Sequence, residues 1–189
     1  MDISEAKAEL RKTIREKRRS LTEEERKASA AATADALCSL EGILRAETVL
    51  AYMPMKYELD ILPAVERLKA MGKRIAFPLC IENGGLILLV PAEKDGFIVG
   101  SYGILEPRIE TAEEVGFDEI DAIILPAIGF DLKGRRLGQG GGYYDRLLAK
   151  TNCFTAAVGF DCQLVESVPV EETDKTVDVV VTPHVTMVC

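Results

Sequence analysis

The sequence predicts an α/β fold: a single three-layer domain over residues 1–189, with a central mostly parallel or mixed sheet and helices on both faces. Short apolar runs of strand character alternate with segments of helical spacing, the pattern of a sheet whose crossovers cover its faces. The chain has 189 residues, 48% of them hydrophobic, which is enough to bury a core and falls within the size of one domain. No repeat, low-complexity tract or long linker divides it.

The elements follow in order. Ile3, Ala6, Leu10 and Ile14 form an apolar helical stripe, predicting a helix over about residues 4–19. Thr22 and Glu25 have capping-box spacing and open a second helix. A strand is expected over 48–52, a helix over about 61–71 stopped by Gly72, and strands over 74–77 and 86–90, the last bounded by Gly85 and Pro91. Strands recur over 122–125, 154–158 and 177–181. The stretch from Gly96 to Val115 is the least regular, and as a loop region on a rigid frame it is expected to carry ligand contacts.

Composition excludes several functions. A net charge of −8 and a pI near 4.9 argue against nucleic-acid binding, which depends on neutralising many phosphates. The locally basic segment 11–19 is interleaved with acid and followed by Glu23, Glu24 and Glu25, so most of its charge reads as a solvated helix face. No apolar run reaches membrane-spanning length, and the N-terminal segment has no signal-peptide apolar core. A soluble, cytoplasmic protein that touches no membrane is expected. The five cysteines are odd in number, scattered and without Cys-x-x-Cys spacing, so neither a disulfide framework nor a zinc site is expected. His184, the single histidine, has no partner in the sequence for catalysis or metal binding and reads as a surface or cap residue.

The segment 125–145 carries the chemistry. An apolar strand runs into Gly138, Gly140, Gly141 and Gly142, flanked by Arg136 and Asp145, and a helical pattern begins at Tyr143. Glycines allow close backbone approach to an anion, an arginine binds phosphate bidentately, and a carboxylate can hold a divalent metal. The spacing fits neither the dinucleotide fingerprint, broken at Tyr143, nor the P-loop, since no Gly-Lys-Ser/Thr follows. A flexible connector is the alternative reading. Lys7 lies beside the first helix's apolar stripe and Arg11 on its flank, one turn apart, so both can reach inward or simply cover core with their stems. Glu58 reads locally as a helix-start acid, and Tyr143 and Tyr144 as core aromatics or a flat wall against a ring. Arg146 and Lys150 are expected to face solvent. Asp178, inside a strand pattern, is expected to satisfy local groups.

The order Pro126, Gly129-Phe130-Asp131, Gly134, Arg136-Leu137-Gly138, Gly140, Gly142-Tyr143-Tyr144-Asp145 resembles the signature of the 5-formyltetrahydrofolate cyclo-ligase family. The resemblance extends over nearly the whole chain through Lys7, Arg11, Glu58, residues 103–107, Asp174, Asp178 and Thr182-Pro183. It implies ATP- and Mg²⁺-dependent cyclisation of 5-formyltetrahydrofolate to 5,10-methenyltetrahydrofolate, with release of ADP and phosphate through a phosphorylated formyl (imidate) intermediate. It implies ATP contacts at Lys7, Arg11, Arg136, Leu137, Gly138, Gln139, Gly140, Gly141, Gly142, Tyr143 and Tyr144. Folate contacts are implied at Met53, Glu58, Gln139, Gly140, Gly141, Gly142 and Tyr143, and Mg²⁺ association at Asp145 and Asp174. Arg136 and Tyr144 are the implied catalytic pair. Gln139 and Gly141 stand where some relatives carry basic residues. The expected partners are ATP and the folate, with the chain acting as a monomer. The alternatives are a phosphotransferase acting on another amide or carboxylate, and a folate- or nucleotide-binding module without turnover.

Overall fold

The computed structural model describes residues 2–81, 85–100, 103–171 and 174–189. The chain opens with α1 (Ile3–Ser20), α2 (Glu23–Leu37) and a one-turn α3 (Glu41–Arg45). It then runs through β1 (Thr48–Leu50), α4 (Leu62–Ala70), β2 (Arg74–Cys80), β3 (Leu86–Val90), β4 (Phe97–Val99), β5 (Leu105–Pro107) and β6 (Glu113–Val115). The second half contains β7 (Ala122–Pro126), β8 (Gly129–Phe130), β9 (Arg136–Leu137), α5 (Tyr143–Leu148), β10 (Phe154–Val158), β11 (Val179–Val181) and β12 (Thr186–Val188).

Eight strands form one sheet in the order β12-β11-β10-β7-β1-β2-β3-β6. The inner five pair in parallel, whereas β12 at one edge and β3 and β6 at the other pair antiparallel, so the sheet is mixed and mostly parallel. Parallel strands are covered on both faces and therefore read as continuous apolar runs, as β1, β7 and β10 do. Period-two alternation divides their side chains between two cores. Val49, Ala51, Ile75, Ile124 and Val158 meet Ala34, Leu37, Ile43, Ala64 and Leu68 of α2, α3 and α4. Leu50, Ala76, Ile123, Leu125 and Ala157 meet Leu147 and Leu148 of α5. Each fully buried Leu or Ile contributes about 1.5–3 kcal/mol.

Helix α1 lies over neither face. Its Ile14 and Leu10 pack with Ile128, Leu137, Val165 and Val168, which follow β7, lie in β9 and follow β10, so the helix covers segments beyond the carboxyl ends of those sheet strands. The capping box of α2 forms as its spacing indicates, with Thr22 Oγ1 accepting from Glu25 N at 3.2 Å and Glu25 Oε2 accepting from Thr22 N at 2.7 Å.

The departures from expectation are local. Helix α3 is one turn long and too short to show a period, and β8 and β9 are two-residue strands within what reads as loop. The expected strand 177–181 begins only at Val179, because the backbone of Val177 instead bonds Gly134 O at 2.9 Å. The irregular stretch from Gly96 contains β4, β5 and β6; Ser101 and Tyr102 lie outside the described residues. No helix among the described residues is long and apolar enough to cross a membrane.

Candidate active site

The strand order itself creates a cleft. From β1 the chain crosses through α4 to β2 on one side; from β7 it crosses through α5 to β10 on the other, with the two helices on opposite faces. The loops leaving the carboxyl ends of β1 and β7 therefore diverge, and ligands of open α/β sheets bind at that switch point. A cavity of about 920 Å³ opens there. Tyr52 and Met53 follow β1 into it, Pro126, Ala127 and Ile128 follow β7, and the end of β2 adds Pro78, Leu79 and Cys80.

All the residues expected to bind nucleotide, folate or metal line this one cavity: Lys7, Arg11, Met53, Glu58, the run from Arg136 to Asp145, and Asp174. The hairpin β8–β9 delivers Arg136, whose side chain is buried and whose Nη2 donates to Asp145 Oδ1 at 2.6 Å. Its guanidinium carbon lies 5.9 Å from the centre of the Tyr144 ring. Burial lowers the Arg136 pKa, an effect that Asp145 opposes. Its Nε is buried with no hydrogen-bond partner among the described residues. An unsatisfied buried donor is costly unless a ligand meets it.

Beyond Arg136 the backbone makes two turns that favour glycine, with φ of +110° at Gly140 and +61° at Gly142. Arginines engage the outward polar groups of this loop. Arg11 Nε donates to Gly138 O at 2.9 Å, Arg15 Nη2 to Gln139 Oε1 at 2.8 Å and Arg146 Nη1 to Gly141 O at 2.8 Å. Arg146, expected to face solvent, is exposed yet lines the cavity and braces the loop, because α5 begins immediately after it. Lys150 is exposed, with its Nζ 4.8 Å from the centre of the Phe117 ring.

Lys7 is buried, so its charge does not reach water as a simple snorkelling residue's would; Nζ donates to Glu171 Oε2 at 2.7 Å and to Asp174 Oδ2 at 2.6 Å. Burial disfavours its ammonium, but the two carboxylates outweigh this and hold its pKa above the ordinary lysine value. Burial likewise disfavours the Asp174 carboxylate, and the hydrogen bonds from Lys7 and Glu171 N overcome it and hold its pKa low. The site thus pairs each buried cation with a carboxylate, Lys7 with Asp174 and Arg136 with Asp145.

Glu58 is not a helix-start acid, since α4 begins at Leu62. It closes a turn, with Met55 N donating to Glu58 Oε2 at 3.1 Å and Glu58 N to Met55 O at 2.8 Å. Tyr143 and Tyr144 meet edge to face at 5.1 Å and both line the cavity, which favours the aromatic-wall reading. Burial pushes both phenols far above their ordinary pKa, with Tyr144 next to Tyr143 and Glu58 next to Tyr144 adding to the effect.

Glu171 and Gln163 escaped the sequence reading, and Asp131 stood in it only as a position of the signature, without a role; the last two sit behind the site. Gln163 is buried and donates to Ala127 O at 2.6 Å and Ile128 O at 3.0 Å, fixing the segment after β7. Asp131 is fully buried and holds the β8–β9 turn through Lys133 N, Arg135 N, Arg135 Nε and Val168 N. Residues 104–106 line the cavity, as expected of the irregular stretch. Asp178 accepts from Thr155 N and Oγ1, a local role as expected, and His184 is an exposed partner of Asp161 at 2.7 Å.

No cluster of three metal-binding side chains occurs among the described residues. Asp145 and Asp174 line the same cavity, and their second oxygens, Asp145 Oδ2 and Asp174 Oδ1, take no hydrogen bond among the described residues. That donor set fits Mg²⁺, which commonly takes one or two carboxylates and completes its shell with phosphate and water; it does not fit an all-protein cage.

A family model described as the 5-formyltetrahydrofolate cyclo-ligase family matches residues 3–183. A 5-formyltetrahydrofolate cyclo-ligase of Escherichia coli K12 is 35% identical over 175 residues, covering 90% of this chain and 96% of that protein. One from Mycolicibacterium smegmatis is 32% identical over 187 residues, covering 94% of each. The NMR structure of Aquifex aeolicus 5,10-methenyltetrahydrofolate synthetase superimposes with a TM-score of 0.85 at 35% identity, covering 96% of this chain and 92% of that one.

Proposed function

The chain belongs to the 5-formyltetrahydrofolate cyclo-ligase family, and from that premise we propose that it cyclises 5-formyltetrahydrofolate to 5,10-methenyltetrahydrofolate at the expense of ATP. One observation carries the reading: a single cavity has the carboxylate of Glu58 on one wall and Lys7, Arg11 and Arg136 on others. A pterin ring offers amino and ring N–H donors to the first, and a triphosphate offers anionic oxygens to the second.

A formamide oxygen is a poor leaving group, and phosphorylation solves that problem. The formyl oxygen attacks the γ-phosphorus and ADP departs, leaving an imidate phosphate. The folate's N10 then attacks the formyl carbon and loses its proton, and phosphate leaves with the original formyl oxygen as the methenyl bridge forms. This route asks no side chain to act as nucleophile. The protein's task is to align the two substrates and offset charge on the phosphates, the principal means of catalysing phosphoryl transfer. Arg136, with Tyr144 beside it, and the glycine loop bear on the γ-phosphoryl group, Lys7 and Arg11 on the rest of the triphosphate, and Tyr143 and Met53 on the flat folate ring. Asp145 and Asp174 would hold Mg²⁺, which supplies charge neutralisation when bound. Formation of methenyltetrahydrofolate, followed by its absorbance, should require the folate, ATP and Mg²⁺ together. Product formed at the same rate without ATP would overturn the reading.

Two expected outcomes follow from the geometry. Asp145→Asn keeps the side chain's size and removes its charge, so the Mg²⁺ concentration for half-maximal activity should rise about tenfold or more, with Mg²⁺-ADP binding by calorimetry weakened in parallel. Superimposable titrations would remove Asp145 from the metal site. Lys7→Ala and Arg11→Ala should raise KM for ATP more than KM for folate, and the double variant should lose less than the product of the two single effects, since the cations share one ligand. A larger effect on folate would move α1 to the other end of the cavity.

A further inference from the structure

Arg18 is only 4% exposed, an unusual position for a guanidinium, and among the described residues it forms no ion pair. Both Nε and Nη2 donate to one backbone carbonyl, that of Tyr57, with Nε at 2.7 Å. Its own carbonyl accepts from Arg26 Nη2, and the Arg26 guanidinium lies over the Tyr57 ring at 5.3 Å and the Phe160 ring at 5.5 Å. The peptide between Tyr57 and Glu58 is therefore gripped by Arg18 at its oxygen and by Arg26 at the neighbouring ring. Burial lowers the Arg18 pKa, and Glu58 supplies the largest opposing charge. A leucine or methionine would fill this space without that desolvation cost.

The same helix carries Lys7 and Arg11 at its other end. Eleven residues separate Lys7 from Arg18, about 16 Å at the ordinary helical rise. Helix α1 thus joins the two regions: Lys7 and Arg11 line the cavity at its phosphate end, and Arg18, which lines a smaller adjoining pocket rather than the cavity itself, holds the turn that brings Glu58 to the cavity wall. We infer that Arg18 is a positioning residue: it fixes the turn that carries Glu58 at a set distance from the phosphate-binding cations, and so registers the formyl oxygen against the γ-phosphoryl group. This rests on the folate and ATP assignments above. Nothing in Arg18 itself need touch either substrate.

The test compares Arg18→Met and Arg18→Lys with the unaltered protein, measuring KM for each substrate, kcat and thermal stability. Misregistered reactants cost up to about 100-fold, so kcat/KM for the folate should fall about 10- to 100-fold in R18M while KM for ATP moves less than about threefold. Arg18→Lys retains the charge and one donor nitrogen in place of the two that meet the Tyr57 carbonyl, and should recover part of the loss. A purely structural role would lower the melting temperature without dividing the two KM values. If R18M does not fold, R18K carries the test alone, with the same split expected at smaller amplitude. Equal changes in both KM values, or kcat/KM for the folate within about twofold of the unaltered protein, would overturn the assignment while leaving the proposed reaction in place. Absence of methenyl product from the unaltered protein would remove the reaction and, with it, this role.

Discussion

Arg136→Ala should lower kcat about 10²-fold or more while the protein remains folded, the scale of loss seen when one preorganised donor to a developing charge is removed. Three features of the site set that size. The guanidinium is buried, so its field is poorly screened; it is held by Asp145 and the face of Tyr144, so it need not reorganise; and its Nε has no protein partner among the described residues. Because β9 is a two-residue strand outside the main sheet, truncating the side chain opens the cavity wall rather than the core. Arg136→Lys should rescue little, since a single ammonium cannot reproduce the fork that meets both Asp145 and a phosphate. Steady-state kinetics with circular dichroism on the same samples checks this. Near-normal turnover by a folded variant would remove Arg136 from the reacting centre.

Asp131→Ala should give the largest loss of stability, about 3–5 kcal/mol, as expected when one member of a buried, hydrogen-bonded charge pair is deleted. The side chain is fully buried and serves three backbone N–H groups as well as Arg135, which would be left half-buried without its partner. Burial opposes the Asp131 charge, but the hydrogen bonds from Val168 N, Lys133 N and Arg135 overcome it and hold its pKa below the ordinary carboxylate value. Since the folded value lies below the unfolded one, this stabilisation is complete above the unfolded value of about 3.9 and is lost as pH falls through the folded value. Denaturant unfolding should therefore show a wide gap between variant and parent at neutral pH that narrows in acid. A gap constant with pH would mean that packing, not the carboxylate, matters.

How far the sequence could be read depended on how local each signal was. The five inner strands are buried on both faces and so announce themselves as apolar runs. The amphipathic stripe of α1 and the Thr22–Glu25 box of α2 are likewise local in sequence. The antiparallel edges were not legible, because pairing of β3 with β6 or β11 with β12 depends on partners supplied by the fold. The glycine loop, Arg136 and Asp145 could be found within one short segment. Lys7 was found through a resemblance rather than through its helix, where snorkelling was the simpler reading; its burial comes from Glu171 and Asp174, more than 160 residues away. Arg18 had no signal at all. It sits in a run of basic residues that reads as solvated, and only the path of the chain after β1 brings the Tyr57 carbonyl against it.

The most direct measurement follows the formyl oxygen. With 5-formyltetrahydrofolate carrying oxygen-18 in the formyl group and unlabelled ATP, the proposed route transfers that oxygen to phosphorus and never returns it. Mass spectrometry of the released inorganic phosphate should find one labelled oxygen for each methenyl product formed. Unlabelled phosphate, with the label recovered in water, would contradict phosphorylation of the formyl oxygen.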